Sequence, residues 1–175
     1  MALALELTLD EGADAAVREV WDGLEQAGVR TLASLLDGRI APHVSLVVSL
    51  DVEALHALGP DLAEIVRMAG PQVLPLDSIG MFPGADPVVY LAVTPTERLL
   101  RLQADVAELL RERGVGVLPE YRPGSWVPHC TLAMAVPGHR CGDAVAVLRA
   151  APLPIKARSA QLGLVDSTTG ETTFL

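Results

Sequence analysis

The sequence predicts an α+β fold, on three observations. Strand-like and helix-like periodicities follow one another irregularly instead of as strict βαβ units. Half of the 175 residues are hydrophobic, which is ample for a packed interior. No linker, low-complexity tract or charge run divides the chain. The reading gives about seven strands and three or four helices.

Taken in order, "LALELTLD" (residues 3–10) alternates apolar and polar side chains and reads as an opening strand. Asp10, Glu11 and Asp14 then precede Val17, Val20, Trp21 and Leu24, an apolar stripe at helical spacing that Gly28 stops. Residues 30–40 fit neither pattern. "HVSLVVSLD" reads as a strand, and "DVEALHALGPDLAEIVRMAG" as a helix interrupted at Gly59 and Pro60. The stretch from "PQVLPL" to "YLAVTP" predicts a hairpin turning at "FPGADP". The next helix takes Thr94 as N-cap, Pro95 as its first residue and Glu97 to close a capping box. Leu99, Leu102, Val106 and Leu109 or Leu110 form its apolar stripe, and Arg111, Arg113 and Gly114 mark its end. The loop "PEYRPGSWVP" leads into "HCTLAMAV", again a strand, and the tail reads as one long strand, a turn at "DSTTG" and a short return.

Charge narrows the classes of function. Asp and Glu number 22 against 13 Lys and Arg, a formal net charge of −9 with a pI near 4.8. A broad nucleic-acid surface needs the opposite sign, so any phosphate chemistry must use a local site. No apolar run approaches the roughly 18 residues of a membrane span, and "MALALELTLDEG" lacks the basic start of a secretion signal. A soluble, cytoplasmic, monomeric protein is expected, with Cys130 and Cys141 as reduced thiols.

One pattern occurs twice. Residues 42–46 are "PHVSL" and residues 128–132 are "PHCTL", and the second histidine follows the first by 129 − 43 = 86 positions, about half the chain. In a strand, side chains alternate between faces, so His43 shares a side with Ser45, and His129 with Thr131. Each copy offers an imidazole and a hydroxyl roughly 6–7 Å apart. If the two strands meet, the copies converge on one cleft. An imidazole with a pKa near 6.5 is neutral or protonated at physiological pH, so a facing pair supplies a general base and a general acid for phosphodiester cleavage. The hydroxyls would donate to the non-bridging phosphate oxygens as charge develops there. No spacing among His43, His56, His129 and His139 matches a metal-ligand pattern, so neither metal nor other cofactor is expected, and His56 and His139 read as surface residues.

Paired His-x-Ser/Thr-hydrophobic motifs resemble those of the 2H phosphoesterase superfamily, especially its bacterial 2',5' RNA ligase and 2',3'-cyclic phosphodiesterase branch. The likeness extends to the opening strand and helix, the block from "LDSIGMF" to "LQADV", and "YRPGSWVPHCTLA", and so covers most of the chain. It implies residues 1–175 forming a single domain, with two intertwined lobes of antiparallel sheet, helices outside, related by a pseudo-twofold around a central groove. It implies His43 and His129 as the catalytic pair and Ser45 and Thr131 as phosphate-binding hydroxyls, opening a 2',3'-cyclic phosphate of a nucleotide or RNA end to a 2'-phosphate, with 2',5' ligation as a related activity.

Many members of that branch carry a basic residue shortly after the motifs, where this chain has Val47, Val48, Ala133 and Met134. With the acidic balance, this makes a small cyclic nucleotide or another compact phosphodiester at least as good a candidate ligand as a folded RNA. Extra positive charge at the phosphate would come from Arg122 or, second, Arg39, and Tyr121 and Trp126 flank the same loop as candidates to stack on a base, with a place in the core the equal alternative for Trp126. Two rival readings keep the motifs: a groove that binds nucleotide or phosphate without turnover, and the same chemistry on a different small metabolite.

Overall fold

Leucines at positions 3, 5, 7 and 9 face one side of the opening strand and pack the core, and this alternation sets the first element. The computed structural model describes residues 2–85 and 87–175. Its elements run β1 (Leu3–Leu9), α1 (Glu11–Gln26), α2 (Leu32–Leu35), β2 (His43–Ser49), α3 (Val52–Ala57), α4 (Gly59–Ala69), β3 (Val73–Phe82), β4 (Val88–Val93), α5 (Glu97–Glu112), β5 (His129–Ala133), α6 (Cys141–Ala150), β6 (Ile155–Asp166) and β7 (Thr172–Phe174). This is an α+β architecture with seven antiparallel strands among the described residues.

Asp10 caps α1 by accepting from the Ala13 N–H at 3.1 Å, and Val17, Val20, Trp21 and Leu24 face inward as the stripe predicts. The predicted break at Gly59 and Pro60 separates α3 from α4, with Pro60 in the first turn of α4, where its missing N–H is not needed. The ambiguous residues 30–40 hold the single-turn α2. In the predicted turn at residues 82–87, Asp86 lies outside the described residues.

Three sequence expectations need correction. Thr94 is not the cap of α5, because its hydroxyl donates to Asp77 Oδ2 at 2.7 Å. Thr96 is the cap, accepting from the Leu99 N–H at 3.1 Å, which leaves Pro95 outside the helix. The strand predicted through Val136 ends at Ala133, since Ala135 takes a positive φ of 52° and turns the chain away. Helix α6 fills a stretch where no element was predicted; no side chain caps its start, so the usual signal is missing.

The strand order β2-β1-β6-β3-β4-β5, with β7 on β6, reads the same from either end once β2 is exchanged with β5, β1 with β4 and β6 with β3. The first half of the chain runs β1-α1-β2, helix, β3, and the second runs β4-α5-β5, helix, β6. Each half lends its last strand to the other: β3 pairs with β4, and the C-terminal part of β6 pairs with β1. Strand β6 also pairs with β3 through its N-terminal part, joining the two three-stranded groups. Registers match across the halves. Glu6 opposes Ser45 and Gly163, as Tyr90 opposes Thr131 and Gly80. Even the flanking backbone bonds repeat: Leu9 N–H to Pro42 O at 3.3 Å, and Val93 N–H to Pro128 O at 2.9 Å.

Candidate active site

The motif strands β2 and β5 lie at opposite ends of the strand path, yet come within 8 Å of each other, Cα to Cα. The segment that leads to β5 closes the space beside β2. Leu118 N–H donates to Val48 O at 2.9 Å, and the indole N–H of Trp126 donates to Ser45 O at 3.1 Å. Gln103, buried on α5, donates to Tyr121 O at 2.6 Å and holds this segment to the helix.

Each imidazole is held the same way. His43 Nδ1 lies 2.8 Å from Ala41 O, and His129 Nδ1 lies 2.7 Å from Val127 O, in both cases the carbonyl two residues back. A carbonyl only accepts, so each Nδ1 carries the hydrogen, and Nε2 is left to exchange a proton. The proline before each histidine is the residue inside that loop. Its fixed φ shapes the turn that aims the ring, which gives the first motif position a physical role.

The two rings have different neighbours. His43 is buried, and its Nε2 lies 3.3 Å from Glu6 Oε1. Ser45 Oγ donates to the same Glu6 Oε1, also at 3.3 Å. Burial raises the Glu6 carboxyl above its usual range, against the lowering pull of His43 and of the Ser45 hydroxyl. Tyr121 interacts with Ser45, and its phenol is pushed up to about 12, first by burial and then by the negative charges of Glu6 and Glu120. In the other half, His129 sits in an aromatic corner. Its ring centroid is 4.9 Å from Phe82, edge-on, and 5.0 Å from Tyr90. Burial lowers its pKa, the Val127 hydrogen bond opposes this, and the nearby charge of His43 lowers it further.

Of the residues singled out from sequence, His43, Ser45, His129 and Thr131 therefore come from matched registers on two strands that meet. Tyr121 is half-buried, close to Ser45. Trp126 is corrected as a stacking candidate: it is only 9% exposed, and its indole props β2. Arg122 is exposed on the turn before β5. Arg39 lines a cleft of about 350 Å³ next to the motif strands, with Glu6, Gly163, Thr172 and Phe174. His56 and His139 are exposed.

Sequence reasoning missed Glu6, Tyr90 and Phe82. Glu6 looks like a solvent-facing position in an alternating strand, and only the pairing of β1 with β2 reveals it. The 84-residue offset between Glu6 and Tyr90 (90 − 6), close to the 86 between the histidines, was the available signal. Among the described residues, no group of three or more His, Cys, Asp or Glu is placed to hold a metal ion, and no helix is long and apolar enough to cross a membrane.

Comparison with known proteins follows this geometry. A family model described as the 2'-5' RNA ligase superfamily matches residues 12–171. Among solved structures, Usb1 of Kluyveromyces marxianus with uridine monophosphate aligns with a TM-score of 0.53 at 13% identity, covering 99% of this chain and 96% of that one. The ns2 PDE domain of MHV aligns with a TM-score of 0.49 at 19% identity, covering 99% and 98%. The Usb1 match shows a shared fold. No curated protein matches the chain.

Proposed function

The chain belongs to the 2'-5' RNA ligase superfamily of two-histidine phosphoesterases, and from that premise we propose that it opens 2',3'-cyclic phosphates to 2'-phosphates without a metal. The observation that carries this reading is the matched anchoring of the two imidazoles, each Nδ1 on the carbonyl two residues back and each Nε2 left for chemistry.

In the proposed reaction, water attacks phosphorus as one ring takes its proton. The bond from phosphorus to the 3' oxygen breaks, and the other ring gives that oxygen a proton. His129, kept neutral by burial and by the charge of its partner, suits the base. His43, whose Nε2 faces the Glu6 carboxylate at 3.3 Å, suits the acid. Thr131 and, once released from Glu6, Ser45 would donate to the non-bridging oxygens. Arg39 and Arg122 are the nearest candidates for further positive charge. The substrate is a small cyclic nucleotide or the end of an RNA, because the net charge of −9 opposes an extended nucleic-acid surface. Choosing nucleoside phosphates as first ligands follows the uridine monophosphate held by the Usb1 neighbour.

Incubation with 2',3'-cyclic nucleotides in EDTA, followed by phosphorus NMR, tests the reading. A 2'-phosphomonoester should appear, and His43→Ala and His129→Ala should each slow its formation by at least about 10²-fold. Unchanged rates in both variants, with native thermal transitions, would overturn it.

A further inference from the structure

The two halves of the groove are equivalent in backbone but not in chemistry, and the difference is concentrated at one pair of positions. Where the second half has Tyr90 opposite Thr131, the first has Glu6 opposite Ser45. Glu6 is 5% exposed, and a single carboxylate oxygen lies 3.3 Å from both His43 Nε2 and Ser45 Oγ. Those two atoms are the ones a phosphate would need in this half.

Resting on the function proposed above, we propose that Glu6 is a positioning residue that occupies the phosphate-binding groups of the first half-site, so that a phosphate ester enters only with net uptake of a proton.

Hydrogen-bond accounting gives the reason. With Nδ1–H committed to Ala41 O, His43 turns Nε2 toward the carboxylate at 3.3 Å, and the Ser45 hydroxyl donates to the same oxygen. A phosphate oxygen that takes His43 Nε2–H and the Ser45 hydroxyl leaves the carboxylate facing an anion with no donor between them. Inside a site screened from water, that repulsion is relieved when the carboxyl picks up a proton from solvent. The surroundings favour this. His43 and Ser45 from β2 contact Glu6 directly, and its charge also reaches the Tyr121 phenol, in the segment after α5, and the Cys130 thiol of β5, each pushed up to about 12 mainly by burial. Arg39 and Glu171 line the cleft on its other side, opposite in sign to each other. Burial already raises the Glu6 carboxyl, the direction that favours its protonated form. Tyr90 carries no such charge, so the second half-site has no matching requirement.

The test is the pH dependence of binding, which does not require turnover. Adenosine 2'-monophosphate and inorganic phosphate are titrated into the wild type and Glu6→Gln between pH 5.5 and 8.5, by calorimetry in buffers of different ionisation enthalpy. Contributions from His129 and from the phosphate itself are common to both proteins, and repeating the comparison with His43→Asn and His43→Asn/Glu6→Gln removes the proton of His43, so the difference within that second pair isolates Glu6. In the His43→Asn background, affinity with Glu6 present should fall more steeply with pH than affinity with Glu6→Gln, by up to about 10-fold per pH unit, one extra proton. Infrared difference spectra should show a protonated-carboxyl band on phosphate binding to the wild type alone, and this reading holds even if Glu6→Gln folds poorly. Equal slopes, no protonated-carboxyl band, or no phosphate binding at any pH would overturn the proposal. Phosphate binding with the Glu6-dependent slope but no cyclic-nucleotide opening would remove the proposed function and leave this inference standing. Turnover with equal slopes would do the reverse.

Discussion

Gly80→Ala is the sharpest test of how the second half of the groove is built. Gly80 on β3 lies opposite Tyr90, and a Cβ placed there meets the phenol ring at 2.2, 2.3 and 2.6 Å. Ordinary contact begins near 3.4 Å, so the ring has to retreat by about 1.2 Å (3.4 − 2.2). It has little room, being 8% exposed and stacked 4.3 Å from Phe82 and 5.0 Å from His129, centroid to centroid. Overpacking of this kind costs about 1–3 kcal/mol, and a displacement of about 1 Å passed from Tyr90 to the neighbouring His129 costs up to about 10²-fold in turnover. Urea denaturation and cyclic-phosphate turnover measure the two effects. Gly116→Ala is the control, since nothing lies within 4 Å of its added Cβ, and it should stay within about 0.5 kcal/mol of wild type. If Gly80→Ala matched the wild type in both stability and turnover, the packing account of the aromatic corner would be refuted.

His129 binds its proton more weakly folded than unfolded, so its share of stability is complete above the unfolded value of 6.5 and is lost as pH falls. His129→Asn should flatten that acid limb, whose slope is at most about 1.4 kcal/mol per pH unit, in urea titrations across pH 5–7. Glu6 has the opposite sign: its raised carboxyl favours the fold at pH below the ordinary carboxyl value of 4.5, and that advantage disappears as pH rises. Glu6→Gln should therefore gain stability relative to wild type between pH 5 and pH 8. Thr96→Ala removes the cap of α5 and should cost about 1 kcal/mol by thermal denaturation, more than Thr94→Ala, whose bond to Asp77 is exposed. Trp126→Phe takes the indole donor from Ser45 O and should cost about 0.5–1.5 kcal/mol, with lower turnover because the strand carrying His43 loses its prop.

The periodicities made most elements legible. Leucine alternation found β1, the stripe from Val17 to Leu24 found α1, and the Gly59-Pro60 break separated α3 from α4, because each signal is local. The cap of α5 was misplaced by two residues because Thr94 and Thr96 are both plausible N-caps, and only the position of Asp77 on β3 decides which hydroxyl is already engaged. Helix α6 had no side-chain cap to announce it. The internal repeat would have supplied it, since a strand bearing the first motif is followed by helix and the second copy follows the same plan. In the site, the histidines and hydroxyls showed in sequence because their motif repeats. Glu6, Tyr90 and Phe82 did not, because their place follows from the register between strands far apart in the chain. Trp126 misled because a scarce aromatic beside a motif suggests stacking, whereas here its polar edge ties a strand.

The central claim is that two imidazoles from the two halves of the chain serve one phosphate. Nitrogen NMR of ring-labelled histidine during titration with adenosine 2'-monophosphate tests it most directly. Both His43 and His129 should show hydrogen on Nδ1 when neutral, and both Nε2 signals should move together along a single one-to-one isotherm. A response from only one ring, or two isotherms with different midpoints, would contradict the account.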